Sequence, residues 1–125
     1  MNFSRLSAMW LFWPAVAVVV WGELFATASE TPHVWDKLLH FTAYFGLSGL
    51  ALVALVGRTR RTLLAALGLV LLGGALEVVQ GMIGRDMSLY DELANAIGVL
   101  AGLGVGWIYL ACLGGPRLVG TKGAD

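Results

Sequence analysis

The chain has 125 residues, of which 58% are hydrophobic and 13% are charged, and its formal net charge at pH 7 is zero. This composition is too apolar for an ordinary water-soluble domain. The lack of a basic excess argues against a nucleic-acid-binding protein. A single cysteine excludes an internal disulfide and any site built from several thiolates. We therefore expect a one-domain membrane protein, with membrane lipids as its surroundings and no cofactor.

Four long apolar segments follow one another along the chain. A helix needs about 20 residues to cross the hydrocarbon core of a bilayer, and each segment has about that length. The sequence therefore predicts an all-α, polytopic membrane protein with four transmembrane helices. The predicted spans are residues 8–26, 36–56, 62–83 and 91–113.

The first segment also has features of a secretory signal peptide. Ala26, Thr27 and Ala28 form a small-residue pattern of the kind found at cleavage sites, and Arg5 supplies a positive start. However, the apolar run is longer than the core of about 7 to 15 residues that is usual in signal peptides. A retained transmembrane helix is the favoured interpretation, and cleavage is the alternative.

The distribution of basic residues predicts the orientation of the chain. Arg and Lys are enriched in the loops that stay in the cytoplasm. Most of the basic residues fall on one side of the four-span arrangement, so we predict that both termini are cytoplasmic. That side carries Arg5, Arg58, Arg60, Arg61, Arg117 and Lys122, and the opposite side carries Lys37 and Arg85.

Polar side chains recur at helical spacing inside the last three spans. In the second span Asp36, His40 and Tyr44 are four residues apart, which places them on one face of a helix. Ionisable groups are costly in a membrane unless they face one another inside the bundle. We therefore predict a polar cluster at the non-cytoplasmic end of the bundle. Its members are Asp36, Lys37, His40, Tyr44, Glu77, Gln80, Arg85, Ser88, Asp91 and Asn95.

The fourth span has a second pattern, a glycine at every fourth position. Gly98, Gly102 and Gly106 share a helix face, and small residues at this spacing favour close packing of membrane helices. Asp91 lies near the start of the same span, where a carboxylate can cap free backbone amides. Capping alone would explain Asp91, although it would not explain the polar residues deeper in the spans.

The polar pattern resembles that of the VanZ-like family of small bacterial membrane proteins. The resemblance covers about half of the chain and implies an integral protein of the bacterial inner membrane. The family's founding member is associated with reduced susceptibility to teicoplanin, so a link to glycopeptide resistance is an expectation from the resemblance alone. The matching blocks are Asp36-Lys37-x-x-His40-x-x-x-Tyr44, then Glu77-x-x-Gln80, then Arg85-x-x-Ser88-x-x-Asp91-x-x-x-Asn95-x-x-Gly98.

The residues leave several functions open for the predicted cluster. It could only hold the helices together, as buried hydrogen-bond networks do in membranes. It could bind an envelope lipid or a lipid-linked envelope precursor, with Lys37 and Arg85 on a phosphate. It could act as an enzyme in which Asp36 orients His40 as a general base or nucleophile.

A divalent cation is a further alternative that the sequence disfavours. Asp36, His40, Glu77 and Asp91 are of the right chemical types to bind one. Lys37 and Arg85 are expected to compete for the same carboxylates, so we predict no metal. Among these alternatives the sequence favours lipid or headgroup binding, with a purely structural cluster as the second interpretation.

Overall fold

The computed structural model describes residues 3–25 and 33–113, which form four α-helices joined by short connections. The helices are α1 (Phe3–Phe25), α2 (His33–Ala54), α3 (Thr59–Met82) and α4 (Leu89–Cys112). Each of them contains a stretch that is long and apolar enough to cross a membrane. The prediction of an all-α chain with four such helices is confirmed over these ranges, and the cleavage pattern at residues 26–28 lies outside them.

The helix boundaries differ from the predicted spans by a few residues. Each helix begins two to five residues before its predicted span, and α2 ends at Ala54 rather than at residue 56. The apolar run marks the part of a helix that suits lipid, whereas the helical backbone continues into flanking polar residues such as Arg60. Composition therefore located the helices better than it located their ends.

Two glycines set the turns at opposite ends of α3. Gly57 has φ of 78° and Gly84 has φ of 83°, a left-handed conformation that only glycine adopts without strain. After Gly84 the chain folds back, and the Arg85 amide donates to the Gln80 carbonyl at 3.0 Å. This bond directs the Arg85 side chain back toward the bundle.

The most extensive helix contact joins α2 and α4. A Cβ atom added at Gly98 would collide with the Phe41 carbonyl oxygen, and one added at Gly102 would collide with the Phe45 carbonyl oxygen. The two backbones therefore approach more closely than any larger residue would allow. The predicted role of the glycine series in close packing agrees with this contact. Gly106 extends it by leaving room for Leu52.

The outer surfaces of the helices are apolar. Among the exposed side chains are Trp10 with 78% of its surface exposed, Leu89 with 80% and Leu100 with 69%. Such wide apolar exposure is unfavourable in water and normal for helices that face lipid. α1 lies against α2 and α3 and is the least buried of the four helices.

Gly98→Ala should destabilise the bundle because the new methyl group meets backbone that has no room to move. We expect the free energy of unfolding to fall by about 1–3 kcal/mol or more, as for overpacked cores. Unfolding by a denaturing detergent, followed by circular dichroism, measures this. Gly104→Ala is the matched control, because an added Cβ there meets nothing within 4 Å. Equal stability of the two variants would contradict the proposed contact.

Candidate functional site

Polar side chains from all four helices meet at one end of the bundle, where α1 and α3 end and α2 and α4 begin. The structure brings together the ten residues predicted from the sequence and adds two more, Glu23 and Glu92. We call this set the polar cluster. Its members are Glu23, Asp36, Lys37, His40, Tyr44, Glu77, Gln80, Arg85, Ser88, Asp91, Glu92 and Asn95.

His40 is held by a chain of hydrogen bonds at the centre of the cluster. The Asn95 amide nitrogen donates to Glu92 Oε2 at 3.2 Å, which fixes the orientation of the amide. Its oxygen therefore faces His40 Nδ1, at 3.1 Å, and accepts a hydrogen bond from that nitrogen. His40 and Asn95 are 8% and 0% exposed, so this arrangement is shielded from solvent.

The partner that orients His40 differs from the one expected from the sequence. Asp36 Oδ1 is 4.0 Å from His40 Nε2, too far for a hydrogen bond. Glu23 Oε1 lies 3.4 Å from Nδ1, on the same side as Asn95. Glu23 and Asn95 thus position the imidazole ring, and Nε2 faces Asp36. A catalytic role for His40 would use Nε2, with Glu23 in the orienting position first assigned to Asp36.

Lys37 forms an ion pair at the rim of the cluster. Its ammonium group is 3.3 Å from Asp91 Oδ1, and the two side chains are 37% and 9% exposed. The same ammonium lies 6.0 Å from the centre of the Tyr90 ring, within the range of a cation–π interaction. Lys37 is therefore engaged with its neighbours but still reaches the surface.

Asp91 does not cap its helix, although the sequence allowed that interpretation. The cap of α4 is Ser88, whose hydroxyl accepts from the Asp91 amide at 3.3 Å. The helix starts earlier than the apolar pattern suggested, so Asp91 lies within its first turn. Its carboxylate is directed toward Lys37 instead.

Two side chains of the cluster attach the end of α1 to the rest of the bundle. Gln80 Nε2 donates to the Glu23 carbonyl oxygen at 2.7 Å. Arg85 donates to the same oxygen at 2.6 Å. This carbonyl is in the last turn of α1, where backbone oxygens lack helical partners. Arg85 therefore binds a backbone group, and its expected competition for the carboxylates is not seen among the described residues.

Glu77 links α3 to the start of α4 through one of its two carboxylate oxygens. Its Oε2 accepts from the Ser88 amide at 2.9 Å, while its Oε1 is buried and has no hydrogen-bond partner in the described part of the chain. The Tyr44 hydroxyl is also buried, and it faces the Glu23 carboxylate. Gly73 makes room here, since a Cβ would lie 2.6 Å from Glu92 Oε2.

Acidic groups outnumber basic groups in the cluster. Its five carboxylates are those of Glu23, Asp36, Glu77, Asp91 and Glu92, and its basic side chains besides His40 are Lys37 and Arg85. Glu23 Oε1 and Asp91 Oδ1 are buried, and they lie 3.4 Å from His40 Nδ1 and 3.3 Å from the Lys37 ammonium. The excess of carboxylates over basic groups would favour a ligand that carries positive charge or donor groups.

Sequence reasoning missed Glu23 and Glu92 for different reasons. Glu23 is the single acidic residue of α1, so it belongs to no periodic polar pattern. Its contacts with Gln80 and Arg85 also use its backbone oxygen rather than its side chain. Glu92 directly follows Asp91 and was assigned to no shared face. Its spacing of three residues from Asn95 was a usable signal, because side chains at i and i+3 are neighbours on a helix.

A separate apolar cavity of about 560 Å³ lies toward the other end of the bundle. Its walls come from α1, α2 and α3 and include Phe12, Val16, Ala54 and Leu69. It contains no member of the polar cluster. We therefore regard the two features as distinct.

Comparisons with known proteins add no assignment. No family model matches the chain, and neither a curated protein nor a solved structure does.

Arg85→Ala should loosen the end of α1, because it removes a charged donor from the Glu23 carbonyl oxygen. We expect faster hydrogen–deuterium exchange of backbone amides in residues 19–25, with α4 unchanged, measured by mass spectrometry. Arg60→Ala, at the opposite end of α3, is the control and should leave exchange in α1 unaltered. Equal exchange in both variants would show that Arg85 does not hold α1.

Proposed function

We propose that this chain is a multi-pass protein of the bacterial inner membrane whose polar cluster binds the headgroup of an envelope lipid. The observation that carries the proposal is the excess of carboxylates over basic groups in the cluster, together with Glu77 Oε1, which is buried without a hydrogen bond to a described residue. A buried polar group without a partner costs about 1–3 kcal/mol. A cluster that served only to hold helices together would be expected to balance its charges and to pair this atom internally.

The exposed groups at the rim indicate which headgroup chemistry fits. Asp36 and Lys37 are 41% and 37% exposed, so a negative and a positive group stand side by side at the mouth of the cluster. A headgroup that carries both a phosphate and an amine matches this pair. Lys37 would contact the phosphate, and Asp36 with the acidic groups behind it would accept hydrogen bonds from the amine. Arg85 is engaged with α1, so Lys37 is the better phosphate contact.

The surroundings of the cluster support access from the bilayer. The helix surfaces beside it carry exposed apolar side chains, among them Leu39, Leu89 and Leu93. A lipid could keep its acyl chains against these surfaces while its headgroup enters at Asp36 and Lys37. The grouping of the VanZ-like pattern residues at one end of the bundle also supports a VanZ-like protein, and a contribution to teicoplanin resistance would follow from that relationship.

Lys37→Ala should weaken binding of a zwitterionic lipid. Loss of a charge-assisted hydrogen bond costs about 1.5–3 kcal/mol, which corresponds to at least about a 10-fold rise in Kd. Binding of phosphatidylethanolamine to the purified protein in detergent, followed by native mass spectrometry, measures this. Phosphatidylglycerol, which has the phosphate but no amine, should bind more weakly to the unaltered protein.

Arg60→Ala is the matched control for this experiment, because it removes an exposed basic side chain at the opposite end of the bundle. It should leave phosphatidylethanolamine binding unchanged. Unaltered affinity in a folded Lys37→Ala protein would contradict headgroup binding at the cluster and favour the alternative, a cluster that only stabilises helix packing.

We also propose that both termini are cytoplasmic, which places the cluster at the outer face of the membrane. In a Cys112→Ser background, Asp86→Cys should react with a membrane-impermeant maleimide in intact cells, since Asp86 is exposed beside the cluster. Arg60→Cys should react only after the cells are permeabilised. The opposite labelling pattern would reverse the orientation and place the cluster at the cytoplasmic face.

A further inference from the structure

We propose that Asp36, His40 and Asp91 form a binding site for one transition-metal dication of the zinc or manganese type. One ligand atom from each side chain lies within 4.8 Å of the others. Metal–nitrogen and metal–oxygen bonds of about 2.0–2.2 Å place the ligands of a tetrahedral ion about 3.3–3.6 Å apart. The most widely separated ligand atoms would therefore have to approach by about 1.3 Å, which side-chain rotation can supply.

The contacts at Nδ1 of His40 leave Nε2 as the ring nitrogen that could bind a metal. Nδ1 carries the proton, because both of its neighbours, Asn95 Oδ1 and Glu23 Oε1, are acceptors. Nε2 faces Asp36, 4.0 Å away, so a metal ion that took the place of a proton on Nε2 would lie between the ring and that carboxylate. Histidine ligands in metal sites characteristically donate their other ring nitrogen to a carboxylate or carbonyl oxygen, which fixes the tautomer and the ring orientation. Asn95 and Glu23 occupy that supporting position.

The burial and charge of Asp91 also point to a cation. Its side chain is nine-tenths buried, and the basic group nearest to its Oδ1 is the ammonium of Lys37 at 3.3 Å, on a side chain that is more than a third exposed. The surrounding carboxylates outnumber the basic groups, so Asp91 lies in a region with a deficit of positive charge. A dication would reduce this deficit and replace the Lys37 ammonium as the partner of Asp91.

Basic side chains compete less for the metal-binding carboxylates in the structure than the sequence suggested. Arg85 donates to a backbone carbonyl of α1, and Glu77 is engaged with the Ser88 amide, so neither takes part in the site. Lys37 does compete, because its ammonium is 3.3 Å from Asp91 Oδ1. The Lys37 side chain is more than a third exposed, so it can turn toward water when an ion binds.

The ligand set also indicates the kind of ion. Imidazole with carboxylates suits zinc and manganese, whereas magnesium and calcium prefer an all-oxygen shell. Three protein ligands leave at least one coordination position for another group. A lipid phosphate is a suitable group for that position, although the metal site does not depend on lipid binding.

The metal alone is the probe that tests this inference. The purified full-length protein, stripped with a chelator and kept in lipid-free detergent, should bind about one equivalent of Zn²⁺ in isothermal titration calorimetry. His40→Gln and Asp91→Asn should each lower the affinity by more than about 100-fold, because loss of even a supporting partner costs about 10- to 100-fold. Asp86→Asn, which alters an exposed carboxylate outside the cluster, should bind like the unaltered protein.

The variant Lys37→Gln distinguishes metal binding from lipid binding. It removes the competing ammonium, so it should raise the Zn²⁺ affinity while lowering the affinity for phosphatidylethanolamine. No Zn²⁺ binding in the unaltered protein overturns the metal site and leaves the lipid proposal standing. Zn²⁺ binding that survives in folded His40→Gln, or that Mg²⁺ matches in affinity, also overturns it. Zn²⁺ binding without lipid binding would instead contradict the proposed function.

Discussion

The close approach of α2 and α4 determines the geometry of the polar cluster. Gly98 lies against the Phe41 carbonyl and Gly102 against the Phe45 carbonyl, so the distance between these helices is set by backbone contact. Asn95 is one turn before Gly98 along α4, and His40 directly precedes Phe41 on α2. The 3.1 Å contact between His40 and Asn95 is therefore a consequence of the glycine contact. The Lys37–Asp91 pair lies one turn farther toward the helix ends.

The polar cluster contains hydrogen bonds that hold the bundle together and also a buried polar group that helix packing does not explain. The hydrogen bonds from His40 to Asn95, and from Gln80 and Arg85 to the Glu23 carbonyl, connect different parts of the bundle and satisfy the groups involved. Glu77 Oε1 is different, because it is buried without a hydrogen bond to a described residue. Retaining such a group lowers stability unless a ligand interacts with it.

Much of this arrangement could be predicted from sequence because it depends on periodicity. The apolar runs located the four helices, and the four-residue spacing of Asp36, His40 and Tyr44 placed them on one face. The partners of each side chain could not be read in the same way. Glu23 is isolated in an apolar helix, and its carbonyl oxygen binds Gln80 and Arg85, an interaction that residue type does not encode.

The same limit explains why the roles of individual cluster members changed. Periodicity gives neighbours within one helix, so it paired His40 with Asp36, one turn away. The contacts that fix the His40 ring come from other helices, from Glu23 on α1 and Asn95 on α4. Such contacts depend on the depth and rotation of each helix, which are set by packing. A polar pattern can therefore identify a cluster without identifying the interactions inside it.

The excess of carboxylates connects the two proposed ligands. An ammonium headgroup and a metal dication both supply positive charge, so they would compete for Asp36 and Asp91. A phosphate behaves differently, because the acidic cluster repels it unless Lys37 or a bound dication provides a local positive charge. Metal binding would thus convert the mouth of the cluster from a site that prefers amines into one that prefers phosphates. A bound ion would therefore determine which part of a headgroup enters the site. Because Lys37 lies at the rim, it could contact a phosphate whether or not the ion is bound.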